Sequence, residues 1–379
     1  MKIVFTGGGT GGHFYPIIAV VEEIEKIVKE KKIIDPDLYF FGPNPYDERA
    51  LFEHNITFVK TPAGKMRRYF SLKNIIDPFK TAVGILQTTL SLYRIYPDVV
   101  FSKGGYGSVP TLLAAKFLRI PVIVHDSDAY PGRATLMAAK FAKKIGISYE
   151  EAFDNFPENL RDKIALTGNP VREGIKNPAR EGAHDFLELE KNVPVILIVG
   201  GSSGSEKIND TVLSALPQLV NKYQIVHQTG EANFQGVEET AKVILGNNER
   251  RYRYKPYAYL SELALKMAAG ACDLVVSRAG SGSIAEISSW GKASILVPIP
   301  ENVSRDQRLN AFAYAHVGAT VVIDQSNFSP NILLSEIDRL FTNPKSRNDM
   351  AEAAKNFARP DAGHVLAEAV IDTALEHET

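Results

Sequence analysis

The chain has 379 residues, enough for two domains, and its 45% hydrophobic and 23% charged residues match a soluble globular protein. A formal net charge of −1 gives no general case for a nucleic-acid partner, and the single cysteine, Cys272, cannot form an internal disulfide. No apolar stretch approaches the roughly 18 to 20 residues of a membrane span, and the apolar start is too short for a signal peptide. The thiol reads as buried and structural, in a reducing compartment.

The first element is the apolar run Lys2-Ile3-Val4-Phe5, followed by Thr6-Gly7-Gly8-Gly9-Thr10-Gly11-Gly12-His13 and an apolar-periodic helix through Ile17, Ile18, Val20, Val21 and Ile24. Strand, glycine loop and helix make a phosphate loop. The glycines permit a tight turn, and the helix N-terminus favours an anion. Gly7, Gly9 and Gly12 fit G-x-G-x-x-G, but the next strand ends in Gly42-Pro43 with no acid for a ribose. The phosphate reading stands and the nicotinamide reading weakens.

Further apolar, β-branched runs lie at 38–41, 56–59, 98–101, 121–124 and 145–148, then at 195–199, 224–227, 273–277, 294–297 and 320–323. Helical stretches separate most of them. Near-continuous apolar strands alternating with helices predict parallel sheets covered on both faces. The pattern restarts at 191–210, so the fold class is α/β with two Rossmann-like domains, their parallel sheets facing across a cleft. The joint falls near Gly168-Asn169-Pro170, giving domains of 1–167 and 168–379, and the segment near 345–379 either caps the second or crosses back to the first.

Four glycine-rich loops sit at the same topological place: 7–12, 102–110, 200–204 and 277–286. Lys103, in the second, does not fit G-x-x-x-x-G-K-[ST], which excludes a P-loop NTPase. One such loop could merely turn a strand into a helix. Four point to anion binding, with two phosphorylated ligands, one for each half.

The ordered set TGGGTGGH, GGYGSVP, GNPVR, VGGSSGS, RAGSGSIAE and DQRLNA, spread over most of the chain, resembles glycosyltransferase family 28, which has the GT-B fold. The resemblance implies inverting transfer of N-acetylglucosamine from UDP-GlcNAc to the 4-hydroxyl of an undecaprenyl-diphosphate-linked muramoyl-pentapeptide, at the cytoplasmic face of the membrane, with no metal and no cofactor. The first domain would bind the lipid-linked acceptor and the membrane, with Gly104, Gly105, Tyr106, Gly107, Ser108 and His125 toward the acceptor. The second would bind UDP-GlcNAc through Arg172, Ser202, Ser281, Gly282, Ser283, Ile284, Ala285, Glu286, Gln307 and Asn310. Thr10, Gly11, Gly12 and Asp128 would add to the donor site from the first domain.

Chemistry supports particular roles. Glu286, expected on the first turn of its helix, can accept from both ribose hydroxyls, although an acid there also simply suits a helix dipole. The Gln307 amide can donate to one sugar hydroxyl and accept from another. His13 is the candidate base, because an imidazole is neutral at pH 7 and a helix N-terminus keeps it so. His125 could act similarly, but a hydrogen-bonding structural role suits it better. The family usually has Asn at the fourth position of His-Glu-x-Asn, where this chain has Asp128, so Asp128 is a second candidate base. Asp126-x-Asp128 also spells a metal-binding D-x-D, but so short a match arises easily by chance.

Lys65, Met66, Arg67, Arg68, Tyr69 and Phe70 combine basic and aromatic groups suited to an anionic bilayer surface. After them Leu72, Ile75, Ile76, Phe79, Val83, Leu86 and Leu90 recur at helical spacing, and we expect that stripe to face mainly the core, with Ile75 or Phe79 as the candidates to extend the exposed part. Rival readings are a diacylglycerol glycosyltransferase, a UDP-GlcNAc 2-epimerase, a NAD-dependent oxidoreductase, and a nucleotide-sugar binding module without activity.

Overall fold

The computed structural model describes residues 1–64, 73–201 and 203–378. Among these, thirteen strands form two sheets, parallel throughout. Met1–Arg172 and the segment from Arg359 onward make one compact unit, and Glu173–Ala358 makes the other.

The first unit contains β1 (Lys2–Thr6), β2 (Asp37–Gly42), β3 (Ile56–Lys60), β4 (Val99–Ser102), β5 (Val122–Asp126), β6 (Lys144–Ile147) and β7 (Ile164–Leu166), in the order β3-β2-β1-β4-β5-β6-β7. The order reverses between β1 and β4. The loops leaving those neighbouring strands, 7–10 and 103–108, therefore meet at the switch point where open parallel sheets bind ligands. The helix Gly11–Lys31 buries Phe14, Ile17, Val20, Val21, Ile24 and Val28 against the sheet. The helix Ala362–Glu378 joins the same core through Leu366, Ala367, Val370, Ile371 and Ala374.

The second unit contains β8 (Val195–Val199), β9 (Gln224–Gln228), β10 (Tyr254–Tyr257), β11 (Leu274–Ser277), β12 (Ser294–Leu296) and β13 (Thr320–Val322), in the order β10-β9-β8-β11-β12-β13. Here the reversal lies between β8 and β11, so the third and fourth glycine loops meet at a second switch point. Two strands, β7 and β10, lie outside the apolar runs read from the sequence. Both are edge strands, and β10 carries Lys255 and Pro256, residues suited to an edge. Cys272 is buried, and that burial pushes its thiol up to about 11.

One packing expectation is overturned. On the helix Lys73–Ile95, Val83 is 50%, Leu86 65% and Leu90 52% exposed, alongside Tyr93 at 70% and Phe79, the candidate for exposure, also at 70%. The inward stripe is instead Asp77, Gly84, Thr88 and Leu92. A Cβ on Gly84 would lie 1.8 Å from the Pro62 carbonyl oxygen and 3.3 Å from Pro110 Cγ, so the helix approaches its neighbours through its small side and turns its apolar side outward. The basic and aromatic segment Lys65 to Phe70 (Lys65, Met66, Arg67, Arg68, Tyr69, Phe70) falls outside the described residues, as does Leu72.

Candidate active site

In the first unit the two glycine loops pack backbone on backbone. A Cβ on Gly105 would sit 2.7 Å from Gly8 Cα, and one on Gly107 would sit 2.7 Å from the Gly7 carbonyl oxygen. Gly104 and Gly105 also hold φ of +74° and +80°, where other residues are strained. His13 lies against this contact: a Cβ on Gly105 would be 3.3 Å from its Nε2, and one on Gly8 3.2 Å from its Nδ1. Thr10 is the helix N-cap, but its hydroxyl pairs with His13 Nδ1 at 2.8 Å instead of capping the backbone. The imidazole pKa is lowered to about 4, chiefly by enclosure of the ring and next by the Lys103 ammonium, with Asp126 opposing. Thr10 and Gly12 are exposed, and Gly11 and Tyr106 half-buried, beside it.

Beneath these loops lies Lys103, 2% exposed. Its Nζ donates to His125 Nδ1, to Ser127 Oγ at 2.6 Å and to Asn169 Oδ1 at 3.0 Å. Ser127 Oγ donates its own proton to Asn169 Oδ1 at 3.1 Å. His125 Nε2 faces the Gly168 carbonyl oxygen at 2.8 Å, so Nε2 carries the proton and Nδ1 accepts from the lysine. Three acceptors around one amine call for all three protons of an ammonium. Burial nonetheless pulls the Lys103 pKa down to about 7, against the opposing pull of Asp126 and Asp128. His125 is held well below its ordinary pKa by burial and by the Lys103 charge.

These facts change the standing of two residues read from sequence. His125 is wholly buried with both ring nitrogens engaged, so it supports the site from below and offers nothing to an acceptor. Ser108 is also buried, its hydroxyl donating to the Gly105 carbonyl at 2.8 Å within its own loop. Asp128 is half-buried. Its backbone N–H donates to Asp126 Oδ1 at 3.1 Å, while Asp126 Oδ2 accepts from Gly132 N at 3.0 Å, so Asp126 shapes the turn that presents Asp128. Arg172 stacks over the Tyr15 ring at 4.1 Å, and Tyr15 donates to Asp47 at 3.3 Å. Among the described residues no three His, Cys, Asp or Glu side chains converge as metal ligands.

In the second unit the helix Ser281–Trp290 begins at the fourth glycine loop, with Gly280 as its N-cap. A Cβ on Gly282 would meet nothing within 4 Å, so the first turn of that helix is open to a ligand. Glu286 is half-buried on the second turn, not the first, where a helix-dipole contribution has largely decayed. Ser281 is buried, while Gly282, Ser283 and Ala285 are half-buried. Ile284 is a core residue and its N–H donates to the Gly280 carbonyl at 3.0 Å, so it has no free group for a nucleotide. Gln307, in the helix Arg305–His316, accepts from Ile299 N at 3.2 Å, which ties its amide to the loop after β12. Asn310, one turn further on, is fully buried and cannot reach a sugar. Ser202 is outside the described residues.

Arg278 is the buried base of this unit. One terminal nitrogen, Nη1, donates to the carbonyls of Val297 at 3.0 Å and Pro298 at 3.3 Å; the other, Nη2, donates to Ser205 Oγ and Gln325 Oε1, each at 2.7 Å. Every one of these acceptors is neutral. Burial lowers the guanidinium pKa to about 10, which leaves it charged at pH 7. Lys103 and Arg278 were not singled out as site residues from the sequence. The available signal was a basic residue directly after a short, buried strand of three apolar residues and a serine, and before a glycine loop.

Residues 3–147 match the Glycosyltransferase family 28 N-terminal domain, and residues 195–366 match the Glycosyltransferase family 28 C-terminal domain. The chain belongs to glycosyltransferase family 28. A Treponema denticola protein is 37% identical over 377 residues, 95% of this chain and 93% of its own. A Bacillus thuringiensis subsp. konkukian protein is 38% identical over 344 residues, 90% and 92% of the two chains. Both are named UDP-N-acetylglucosamine--N-acetylmuramyl-(pentapeptide) pyrophosphoryl-undecaprenol N-acetylglucosamine transferase. The crystal structure of Acinetobacter baumannii MurG superposes with a TM-score of 0.73 at 24% identity, covering 98% of this chain and 99% of that one. A UDP-GlcNAc 2-epimerase from Neisseria meningitidis gives 0.67 at 16% identity, covering 98% and 100%, a likeness of fold alone. Membership of a glycosyltransferase family sets aside the nicotinamide oxidoreductase.

Proposed function

We propose that the chain transfers N-acetylglucosamine from UDP-GlcNAc to the 4-hydroxyl of a lipid-linked muramoyl-pentapeptide, with inversion at the sugar C1. The observation that carries this is the identity of 35% to 38% with proteins of that printed activity along 90% or more of the chain. In this reading a base takes the proton from the acceptor hydroxyl, the oxygen attacks C1, and the C1–O bond to the diphosphate breaks to release UDP. His13 is the base. The Thr10 hydroxyl, 2.8 Å from Nδ1, is able to accept the Nδ1 proton, the tautomer in which Nε2 carries the lone pair the reaction needs, and the lowered pKa keeps the ring neutral at pH 7. Asp128 orients the sugar or the base.

The first unit takes the acceptor, around Gly104, Gly105, Tyr106 and Gly107, and the second takes the nucleotide sugar. Glu286 accepts from the ribose hydroxyls, Gln307 reads the sugar hydroxyls, and the open helix start at Ser281–Ser283 faces the diphosphate with Arg172 and Ser202 adding to it. Thr10, Gly11 and Gly12 support the donor sugar. No metal is needed, because helix N-termini and fixed cations meet the diphosphate charge.

We further propose peripheral attachment to the cytoplasmic face of the membrane. Among the described residues no helix is long and apolar enough to cross a bilayer. The outward stripe Phe79, Val83, Leu86, Leu90 and Tyr93, with Lys80 and Arg94 exposed on the same helix, follows the basic segment Lys65 to Phe70 in the sequence. Purified protein supplied with UDP-GlcNAc and a lipid-linked muramoyl-pentapeptide should form a β-1,4-linked disaccharide and UDP. Absence of product while UDP-GlcNAc binds would reduce the chain to a binding module. Sedimentation with anionic vesicles should be lost in Leu86→Asp; retention at the wild-type level would remove the stripe from the membrane contact.

A further inference from the structure

We propose that Lys103 is a positioning residue of the transfer reaction: its buried ammonium ties the glycine loop 102–108, which packs against the His13 imidazole, to the turn after β5 and to Asn169. The role is additional to the base, nucleotide and acceptor contacts above, and it rests on the transferase reading. Lys103 is too deeply buried to touch a substrate, so it must act through its neighbours.

Three observations meet on this side chain. First, its three protons reach three acceptors carried by two different segments, β5 with its following turn (His125, Ser127) and the stretch after β7 (Asn169). The ammonium thus links the end of β4 to the ends of β5 and β7, and the Lys103 backbone N–H adds a bond to the Thr6 carbonyl at the end of β1, 2.9 Å away. Secondly, no acceptor among the three is a carboxylate. The charge is balanced only at longer range, by Asp126 and Asp128, so it is felt outside its own cage. Thirdly, the loop that Lys103 anchors packs on His13, a Cβ on Gly105 lying 3.3 Å from the imidazole Nε2, and the Lys103 charge adds to the burial that lowers the His13 pKa while Asp126 opposes it. The charged and titratable groups facing this centre are thus Lys103 from the loop after β4, His125, Asp126 and Asp128 from β5 and its turn, and His13 from the first helix. Asn169 Nδ2 is buried beside the same ammonium and has no acceptor among the described residues.

The sign of the effect on His13 is fixed. A positive charge nearby disfavours the imidazolium, so removing Lys103 raises the midpoint of His13 toward the ordinary value near 6.5. Burial of the ring, the larger cause, remains in the variant, so His13 stays mostly neutral at pH 7, and the loss of rate comes from displacement of the anchored loop on which the imidazole packs.

The test is NMR titration of ring-labelled histidine in the full chain, with the His13 signal assigned by its loss in His13→Ala, alongside steady-state transfer kinetics. Wild-type His13 should stay neutral down to about pH 5, given its lowered midpoint near 4. In Lys103→Met the midpoint should rise by at least about one unit, the acidic limb of kcat should move up with it, and kcat should fall about tenfold while the donor KM stays within about twofold. A purely structural lysine would leave the midpoint of a folded variant unmoved. Ordinary titration of His13 in the wild type, or a folded Lys103→Met with unchanged midpoint and kcat, overturns the proposal. Should Lys103→Met fail to fold, Ser127→Ala removes one acceptor and keeps the ammonium. It should lower kcat about threefold with donor KM unchanged, and an unchanged kcat there counts against the proposal. The titration needs no substrate. A protein that transfers no sugar yet shows the His13 shift loses the transferase reading and keeps the Lys103–His13 coupling.

Discussion

Each unit buries one basic side chain under the glycine loops of its switch point, and the two are built differently. Lys103 sits among a histidine, a serine and an asparagine, with two aspartates further off, and burial brings its pKa down to about 7. Arg278 sits among two carbonyls, a hydroxyl and an amide, and keeps its charge with a pKa of about 10. A guanidinium that bridges four neutral oxygens supplies a fixed positive potential that does not vary near neutrality, which suits holding a diphosphate. An ammonium that can lose its proton beside a histidine and two carboxylates suits a place where a proton moves. In the proposed reaction the difference would separate a unit that handles protons from a unit that holds anions.

The sharpest way to break this division is His13→Ala. It should lower kcat by about 10² to 10⁴, the range for loss of a general base, while Asp128→Asn costs less than about tenfold. Steady-state rates at saturating donor and acceptor decide it, and the reverse order of severity would move the base to Asp128. Next in size is Arg278→Met in the second unit. It strands the buried Val297 and Pro298 carbonyls and removes a donor from Ser205 and Gln325, so chemical denaturation should show a loss of about 2 to 4 kcal/mol, with no change in the pH profile of turnover. Glu286→Ala should raise the donor KM about 10- to 100-fold with acceptor KM unchanged, since charge-assisted hydrogen bonds are worth about 1.5 to 3 kcal/mol each. A donor KM within about twofold of wild type would take the ribose away from Glu286. The smallest effect belongs to EDTA, which should leave donor affinity unchanged in a binding titration. A loss restored by Mn²⁺ would revive a metal role for Asp126 and Asp128.

The sequence makes the switch-point loops legible because their signal is local: glycines after an apolar strand and before a helix. Gly105 and Gly107 approach Gly7 and Gly8, nearly a hundred residues away, too closely for a Cβ, yet the glycine itself marks the site. What was illegible depends on tertiary facing. Val83, Leu86 and Leu90 read as core by their spacing, and become surface because Gly84 and Thr88 let the opposite face pack more closely. Ile284 and Asn310 lie inside motifs that bear on the nucleotide, but helical phase turns both into the core. The edge strands β7 and β10 are short and carry little apolar signal. Lys103 and Arg278 are named by no motif chemistry, since only the fold encloses them.

The division between the units is tested most directly by the dissociation constant of UDP-GlcNAc measured calorimetrically on the His13→Ala protein. If the first unit supplies the proton acceptor and the second holds the nucleotide, affinity stays within about threefold of wild type while transfer is lost, because no hydrogen bond to the nucleotide has been removed. A hundredfold loss of UDP-GlcNAc affinity in that variant would make His13 a donor-binding residue and contradict the division.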